Sequence, residues 1–430
     1  MLRTLLHSLL KFFSKRIIKK YHPDVIGITG SIGKSSAKEA IAAVLEKKFN
    51  IRKSQKNYNN EVGVPLTIIG VEKSPGRSIL GWLEVFLKAT NLLLIKNINY
   101  PEILVLEMGA DKPGDIPYLV DIAPCKIGVL TYISHAHTEA FKTIKKIAQE
   151  KRVIISHLQR DGFAVLNFDN ELVMQNSNTT KAEIATYGFK DGADFRATDV
   201  NIIVDEKTSW PTGLNFKLNF KGNIVPVFLP GTIAEHIIPS ALSAIAVGNI
   251  LGVNMLDSVH ALRDLQPLAG HMRIIDGIKN TLLIDDTYNS SPEPTKSALI
   301  TLSKINIPEG SKRIAVLADM LELGPETEDT HREVGFKVAE LGIDFLVTVG
   351  EASKHTAIAA REAGLDDNQI VSFAESVSAG KFLQEKLHRG DVALIKGSQG
   401  LRMEKIVKEV MAEPMDAPNL LVRQTKEWLS

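Results

Sequence analysis

The stretch VIGITGSIGKSS, Val25 to Ser36, decides how the rest of the chain is read. An apolar, β-branched run over Val25–Thr29 stops at Gly-Ser-Ile-Gly, and Lys34, Ser35 and Ser36 lead into a helical pattern over Ser35–Lys47. Strand, glycine-rich turn and helix in that order form a cradle for phosphate. Gly30 and Gly33, with Ser31 between them, let backbone N–H groups close around phosphate oxygens, and the helix N-terminus adds partial positive charge. Lys34 is placed to bridge the β- and γ-phosphates of a nucleoside triphosphate, and the Ser35 hydroxyl to reach Mg²⁺. The full loop pattern has a further glycine six residues before the lysine; Ile28 stands there, so this loop is a shortened form.

Working outward, 430 residues suffice for two or three domains, and 44% hydrophobic with 23% charged residues suits a globular protein with a sizeable core. A net charge of +1 gives no bulk electrostatic case for a nucleic-acid partner. Cys125 is the single cysteine, which excludes an internal disulfide and a cysteine-based zinc cluster and fits a reducing cytosol.

Strand-like stretches at Ile103–Glu107, Ile127–Thr131, Phe163–Asn167, Leu282–Asp285, Ile314–Ala318, Phe345–Val349 and Val392–Ile395 alternate with helical ones, among them Ala140–Leu158 and Pro239–Leu251. Such alternation reads as an α/β fold with a mostly parallel sheet covered by helices. Residues 198–230 break the pattern and read as a small antiparallel section, and a new strand–helix series begins after Pro267–Arg273. Residues 1–20 form a basic amphipathic helix without an acid or a small-residue cleavage site, so neither a signal peptide nor a spanning helix is favoured. Two readings of it stay open: packing on its own domain, or lying on the inner membrane face. Residues 79–95 are apolar, short for a span, and open to the same two readings.

Seven segments in one order carry a resemblance: ITGSIGKSS, NNEVGVPLT (Asn59–Thr67), LEMGADKPGDI (Leu106–Ile116), AHTEAF (Ala136–Phe141), DDTYNSSP (Asp285–Pro292), ADMLELG (Ala318–Gly324) and KGS (Lys396–Ser398). Together they resemble the Mur ligase family from about Val25 to the end of the chain, and DMLELG with DDTYN resembles its MurF type. After a basic amphipathic N-terminal helix read over 1–23, the resemblance implies a P-loop-type central ATP-binding domain over 24–268 and a Rossmann-like C-terminal domain over 269–430. It also implies a cytoplasmic ADP-forming ligase that uses ATP and Mg²⁺. A peptide carboxylate becomes an acyl phosphate, and an amino acid or dipeptide such as D-Ala-D-Ala then displaces phosphate.

By the same resemblance, Gly30, Ser31, Gly33, Lys34, Ser35 and Ser36 bind ATP phosphates, and Ser35 and Glu107 hold a first Mg²⁺. His137 aligns with a residue that binds a second Mg²⁺. Lys151 aligns with a lysine that family members often carry in carbamylated form, its added carboxylate helping to hold the second Mg²⁺, and Lys34, His137 and Lys151 are the expected catalytic set. Arg273 resembles an arginine that closes on the phosphates, and Asp286 one that contacts the ribose. Asn60, Asn289, Lys396 and Ser398 are expected on the peptide and amino substrates. The two His of SHAHTEA lack a third ligand at a zinc spacing.

The chain also departs from the family. Fewer residues precede the phosphate loop than the MurF substrate-binding module would need, so that module is expected to be missing. In GTIAEHIIPSA, His236 remains while Ala234, Ile237 and Ser240 stand at the Gly and Asn positions of the segment that faces adenine. Two alternatives follow: a related ligase with another acceptor, of folylpolyglutamate or cyanophycin type, and a non-catalytic ATP-binding partner subunit. The substrates expected are small molecules, with residues 1–20 and 79–95 as candidate membrane-contact segments.

Overall fold

The structure is a computed structural model and describes residues 2–55, 58–134, 141–206, 208, 210–425 and 428. It divides into two compact units. The first holds Met1–Val200, Phe216–Phe228 and His236–Leu265; the second holds Asn201–Asn215, Leu229–Glu235 and Gln266–Ser430.

The first sheet contains β1 (Asp24–Thr29), β2 (Ile51–Lys53), β3 (Ile103–Glu107), β4 (Ile127–Leu130), β5 (Phe163–Asn167), β6 (Glu183–Gly188), β7 (Phe195–Val204), β8 (Pro211–Phe220) and β9 (Asn223–Pro230). Its order is β2-β3-β1-β4-β5-β6-β7-β8-β9. Pairing is parallel from β2 through the start of β7. Every residue of β3 and β4 is buried, as continuous apolar strands covered on both faces must be. The chain goes to one side of β1 for β2 and β3 and to the other for β4, so the carboxyl end of β1 is a topological switch point, where open α/β sheets bind ligands. Gly27 of β1 packs on the buried Cys125: a Cβ there would meet its Sγ at 2.4 Å. Burial pushes that thiol up to about 12.

The expected antiparallel section is β7–β9. Asp205 N–H donates to Trp210 O at 2.9 Å and Thr212 Oγ1 to Ile203 O at 3.2 Å, the reversed pairing of a hairpin. Lys221 and Gly222, at φ 48° and 79°, make the two-residue turn into β9. The helix expected over Ala140–Leu158 is instead Ile144–Lys151 followed by Val153–Ser156, interrupted at Arg152. There Ile155 N–H reaches Arg152 O in an i to i+3 bond, the tighter turn that ends regular α-geometry.

In the second unit, β10 (Arg273–Gly277), β11 (Thr281–Asp286), β12 (Arg313–Ala318), β13 (Phe345–Val349), β14 (Ile370–Phe373) and β15 (Val392–Lys396) form a sheet of order β10-β11-β15-β12-β13-β14. Only the edge strand β10 is antiparallel. Asp286 is in register with Lys396, and Lys396 with Leu317, so the carboxyl ends of β11, β15 and β12 lie side by side.

Six helices of the first unit matter below: α1 (Leu2–Tyr21), α2 (Lys34–Leu45), α3 (Gly63–Ile69), α4 (Ile79–Leu94), α5 (Asp115–Ile122) and α6 (Ile144–Lys151). One face of α1, through Leu10 and Ile17, enters the same core as Val85, Ala89 and Leu92 of α4. No described helix is long and apolar enough to cross a membrane.

Candidate active site

Backbone strain and side-chain ties fix the phosphate loop between β1 and β4. Gly30 has φ 156°, and a Cβ there would lie 1.9 Å from Thr131 Oγ1, so only glycine leaves this cradle open. Thr131 Oγ1 donates to Ile32 O at 2.6 Å, and Ser31 N–H donates to Tyr132 O at 2.6 Å. Thr29 Oγ1 reaches across to Met108 O at 2.7 Å, tying the loop to the end of β3. α2 begins at Lys34 behind Gly33, which is left-handed at φ 82° and carries no side-chain cap. The amides of Lys34, Ser35 and Ser36 sit in its first turn, where no intrahelical carbonyl is available, and they suit an anion.

Glu107 closes β3 opposite Ile28 and is 2% exposed. The Ser35 hydroxyl donates to its Oε2 at 3.0 Å and Asn59 Nδ2 to its Oε1 at 3.1 Å. Lys38 Nζ, also 2% exposed, lies 3.6 Å from the same Oε2 and 3.3 Å from Glu39. The carboxylate is therefore a buried, charge-paired group and not a solvated turn residue.

Lys151 ends α6, 3% exposed, and donates to Gly30 O at 3.0 Å; Lys34 Nζ donates to that same oxygen at 2.9 Å. Burial and the neighbouring Lys34 charge push the Lys151 amine down to about 7, so it is largely uncharged just above neutrality. Burial also lowers Lys34, against the pull of Glu107 and Asp111. The preceding Glu150 accepts N–H bonds from Gly114 and Ile116 at the start of α5, which fixes the orientation of α6. His137 lies outside the described residues.

In the second unit the expected residues Asp286, Asn289, Lys396 and Ser398 come together. Lys396 Nζ donates to Asp286 Oδ2 at 2.7 Å and to Asn289 O at 3.0 Å, with both charged side chains buried. Ser398 Oγ accepts from Leu321 N–H at 3.0 Å and donates to Ser290 O at 3.4 Å, joining the ADMLELG and DDTYN turns. The Asn289 side chain is exposed. Arg273 starts β10 opposite Asp285, and its guanidinium donates to Asn419 O at 3.4 Å and Leu420 O at 3.5 Å. His331 Nε2 accepts from Met320 N–H at 3.0 Å and holds the ADMLELG turn.

Asn60 lines a small cleft with Asn59, Gly109 and Asp111, while its Oδ1 accepts from Val62 and Gly63 N–H ahead of α3. Sequence reasoning passed over Lys38, Asn59 and Thr131. Lys38 and Asn59 do flank quoted motifs, one turn into α2 and one residue before Asn60, but their meeting at Glu107 needs the β1–β3 register. Ser240 lies beside the loop: a Cβ on Gly33 would be 3.8 Å from its Oγ.

The donor set fits Mg²⁺. A hydroxyl and one carboxylate are hard oxygen ligands, and this ion completes its shell with phosphate and water. Among the described residues no three His, Cys, Asp or Glu side chains gather into a self-sufficient metal cage.

Comparison with known proteins gives matches along most of the chain. Residues 28–248 match the Mur ligase middle domain, and residues 270–399 the Mur ligase, glutamate ligase domain. The UDP-N-acetylmuramoyl-tripeptide–D-alanyl-D-alanine ligase of Synechocystis sp. is 32% identical over 390 residues, covering 90% of this chain and 75% of the relative. The Bacillus subtilis ligase of the same name is 28% identical over 407 residues, covering 94% and 80%. The crystal structure of MurF ligase from Thermotoga maritima in complex with ADP superimposes with a TM-score of 0.75 at 25% identity, covering 94% of this chain and 83% of that one.

Proposed function

The chain belongs to the Mur ligase family and is an ATP-dependent ligase of MurF type, and we propose that it performs this chemistry through the residues gathered at Gly30. The reaction adds D-alanyl-D-alanine to a peptidoglycan precursor, a UDP-muramoyl tripeptide. The observation that carries the residue assignment is the convergence of Lys34, Lys151 and, through Ser35, Glu107 on one glycine-lined loop.

In the first step the tripeptide carboxylate attacks the γ-phosphorus, the P–O bond to ADP breaks, and an acyl phosphate forms. The chain's part is positioning and charge neutralisation. Lys34 and the first amides of α2 meet the phosphate oxygens as charge shifts to the leaving ADP. Ser35 and Glu107 would hold Mg²⁺, which when bound would supply neutralisation of phosphate charge. In the second step the amine of D-Ala-D-Ala attacks the acyl carbonyl, phosphate leaves, and the amine loses a proton. Lys396, Ser398 and Asn289 serve the incoming amino substrate, Asp286 and Arg273 serve ATP, and Asn60 borders the peptide site. By the family resemblance, His137 and a carbamate on Lys151 would hold a second Mg²⁺.

The direct test is ADP release with both UDP-muramoyl tripeptide and D-Ala-D-Ala present. Sustained release is expected only with the pair; turnover with a folate acceptor and glutamate instead, or none with any acceptor, overturns the reading.

Lys151 is read as the site of a carbamate. A neutral amine attacks CO₂, forming the N–C bond and releasing a proton, and burial pushes the Lys151 amine down to about 7, where a neutral fraction is available. Native mass spectrometry at fixed CO₂ is expected to show a mass gain of one CO₂ that rises with pH through about 7 and is absent in Lys151→Arg. An unchanged mass at pH 8 to 9 would refute it, about one to two pH units above the half-point. The same proposal has the enzyme in the cytoplasm, with residues 1–20 and 79–95 available to touch a membrane.

A further inference from the structure

We propose that the outward faces of α1 and α4 form one surface that seats the protein on an anionic lipid bilayer. It deepens the membrane reading above and rests on surface geometry alone. The two helices run side by side and parallel: Phe13 and Phe86 have ring centroids 5.7 Å apart, and Lys20 Nζ donates to Leu92 O and Leu93 O at 2.9 Å.

Each helix carries two apolar stripes, whereas a helix that only covers a core needs one. The inward stripe of α4 is Val85, Ala89 and Leu92. Its outward stripe is Leu80, Leu83, Leu87 and Leu94, spaced by three, four and seven residues, with Leu80 74% and Leu94 79% exposed. On α1 the outward stripe is Leu5, Leu9 and Phe12, also exposed. Among the described residues, half of the exposed large apolar side chains fall between 5 and 12 or between 79 and 98. Concentration of this kind marks a docking face.

Charge selects the occupant. Residues 1–20 carry six basic side chains and no acid. Lys11 and Lys15 pair with Asp121, but exposed Arg16 and Lys19 continue the outward stripe of α1, and exposed Lys96 follows α4. Glu84 is the single acid of α4. An apolar stripe bordered by cations matches the acyl–headgroup boundary of an anionic leaflet. Two copies apposed through this face would instead bring like charges together.

The test uses the full chain and sedimentation with vesicles of phosphatidylcholine alone or mixed with phosphatidylglycerol. Binding is expected to the mixed vesicles and to weaken with salt. Leu83→Glu with Leu87→Glu should lower partitioning by about a hundredfold, and Arg16→Glu with Lys19→Glu by about tenfold. Leu87→Ser with Leu94→Ser is an uncharged second pair, needed should the glutamates perturb folding, and should lower it at least about tenfold. ADP release measured without lipid should not change in any of them, since none touches the phosphate loop. Equal partitioning of both leucine variants, equal binding to the two vesicle types, or a dimer in light scattering that the leucine variants abolish without any vesicle binding would each overturn the proposal. Failure of the ligase assay leaves this surface untouched, and failure here leaves the ligase reading standing.

Discussion

Lys34→Ala is expected to lower kcat for ADP release by roughly a thousandfold, with the melting temperature unchanged or raised. The size follows from removing a fixed cation where charge develops during phosphoryl transfer. The folding side follows from burial. Lys34 is desolvated, its amine is held below its usual range, and its recorded hydrogen bond is to Gly30 O. Alanine removes a burial cost and leaves that carbonyl its bond from Lys151. Steady-state ADP release and a thermal melt check the two halves; about a tenth of the activity retained would show that Lys34 is not a phosphate-bridging lysine.

Glu107→Gln is expected to lose both activity and stability, by separable routes. Its carboxylate accepts from Ser35 and Asn59 and faces the buried Lys38. Glutamine removes one of the two carboxylates that face the buried Lys38 and leaves Glu39 at 3.3 Å, so part of a buried ion-pair network is lost. Adding Lys38→Met to Glu107→Gln should recover most of that stability and none of the turnover, because a neutral amide is a poor Mg²⁺ ligand. A denaturant melt and an ADP assay on the single and double variants give the cycle. Recovery of activity in the double variant would make Glu107 a structural ion-pair member and not a metal ligand.

The elements that could be read in advance are those fixed by local rules. The run VIGIT followed by Gly-Ser-Ile-Gly-Lys dictated strand, cradle and helix, because apolar continuity, left-handed glycine and a helix N-terminus are all properties of neighbouring residues. The motifs DDTYN and KGS were legible through the family resemblance and by their place at strand ends, and parallel register then set Asp286 against Lys396. What could not be read depends on distant partners. Lys38 looks like one more polar position of α2 until β3 brings Glu107 beside it. Lys151 is reached through the family resemblance alone; its spacing is that of a surface lysine among Lys145, Lys146 and Arg152, and its burial shows only once Gly30 receives it. Asn60 reads as a substrate ligand, yet part of its hydrogen bonding goes to the backbone ahead of α3, a local competition that composition does not rank.

The Cys125 thiol, wedged against Gly27 inside the first sheet, has a consequence for anyone handling the protein. Its acidity is so suppressed that alkylating reagents at physiological pH meet almost no thiolate, and the surrounding side chains bar their approach. Modification therefore waits on the sheet coming apart. The lone sulfur serves as a built-in clock for that opening, counted one molecule at a time by the mass of the attached label.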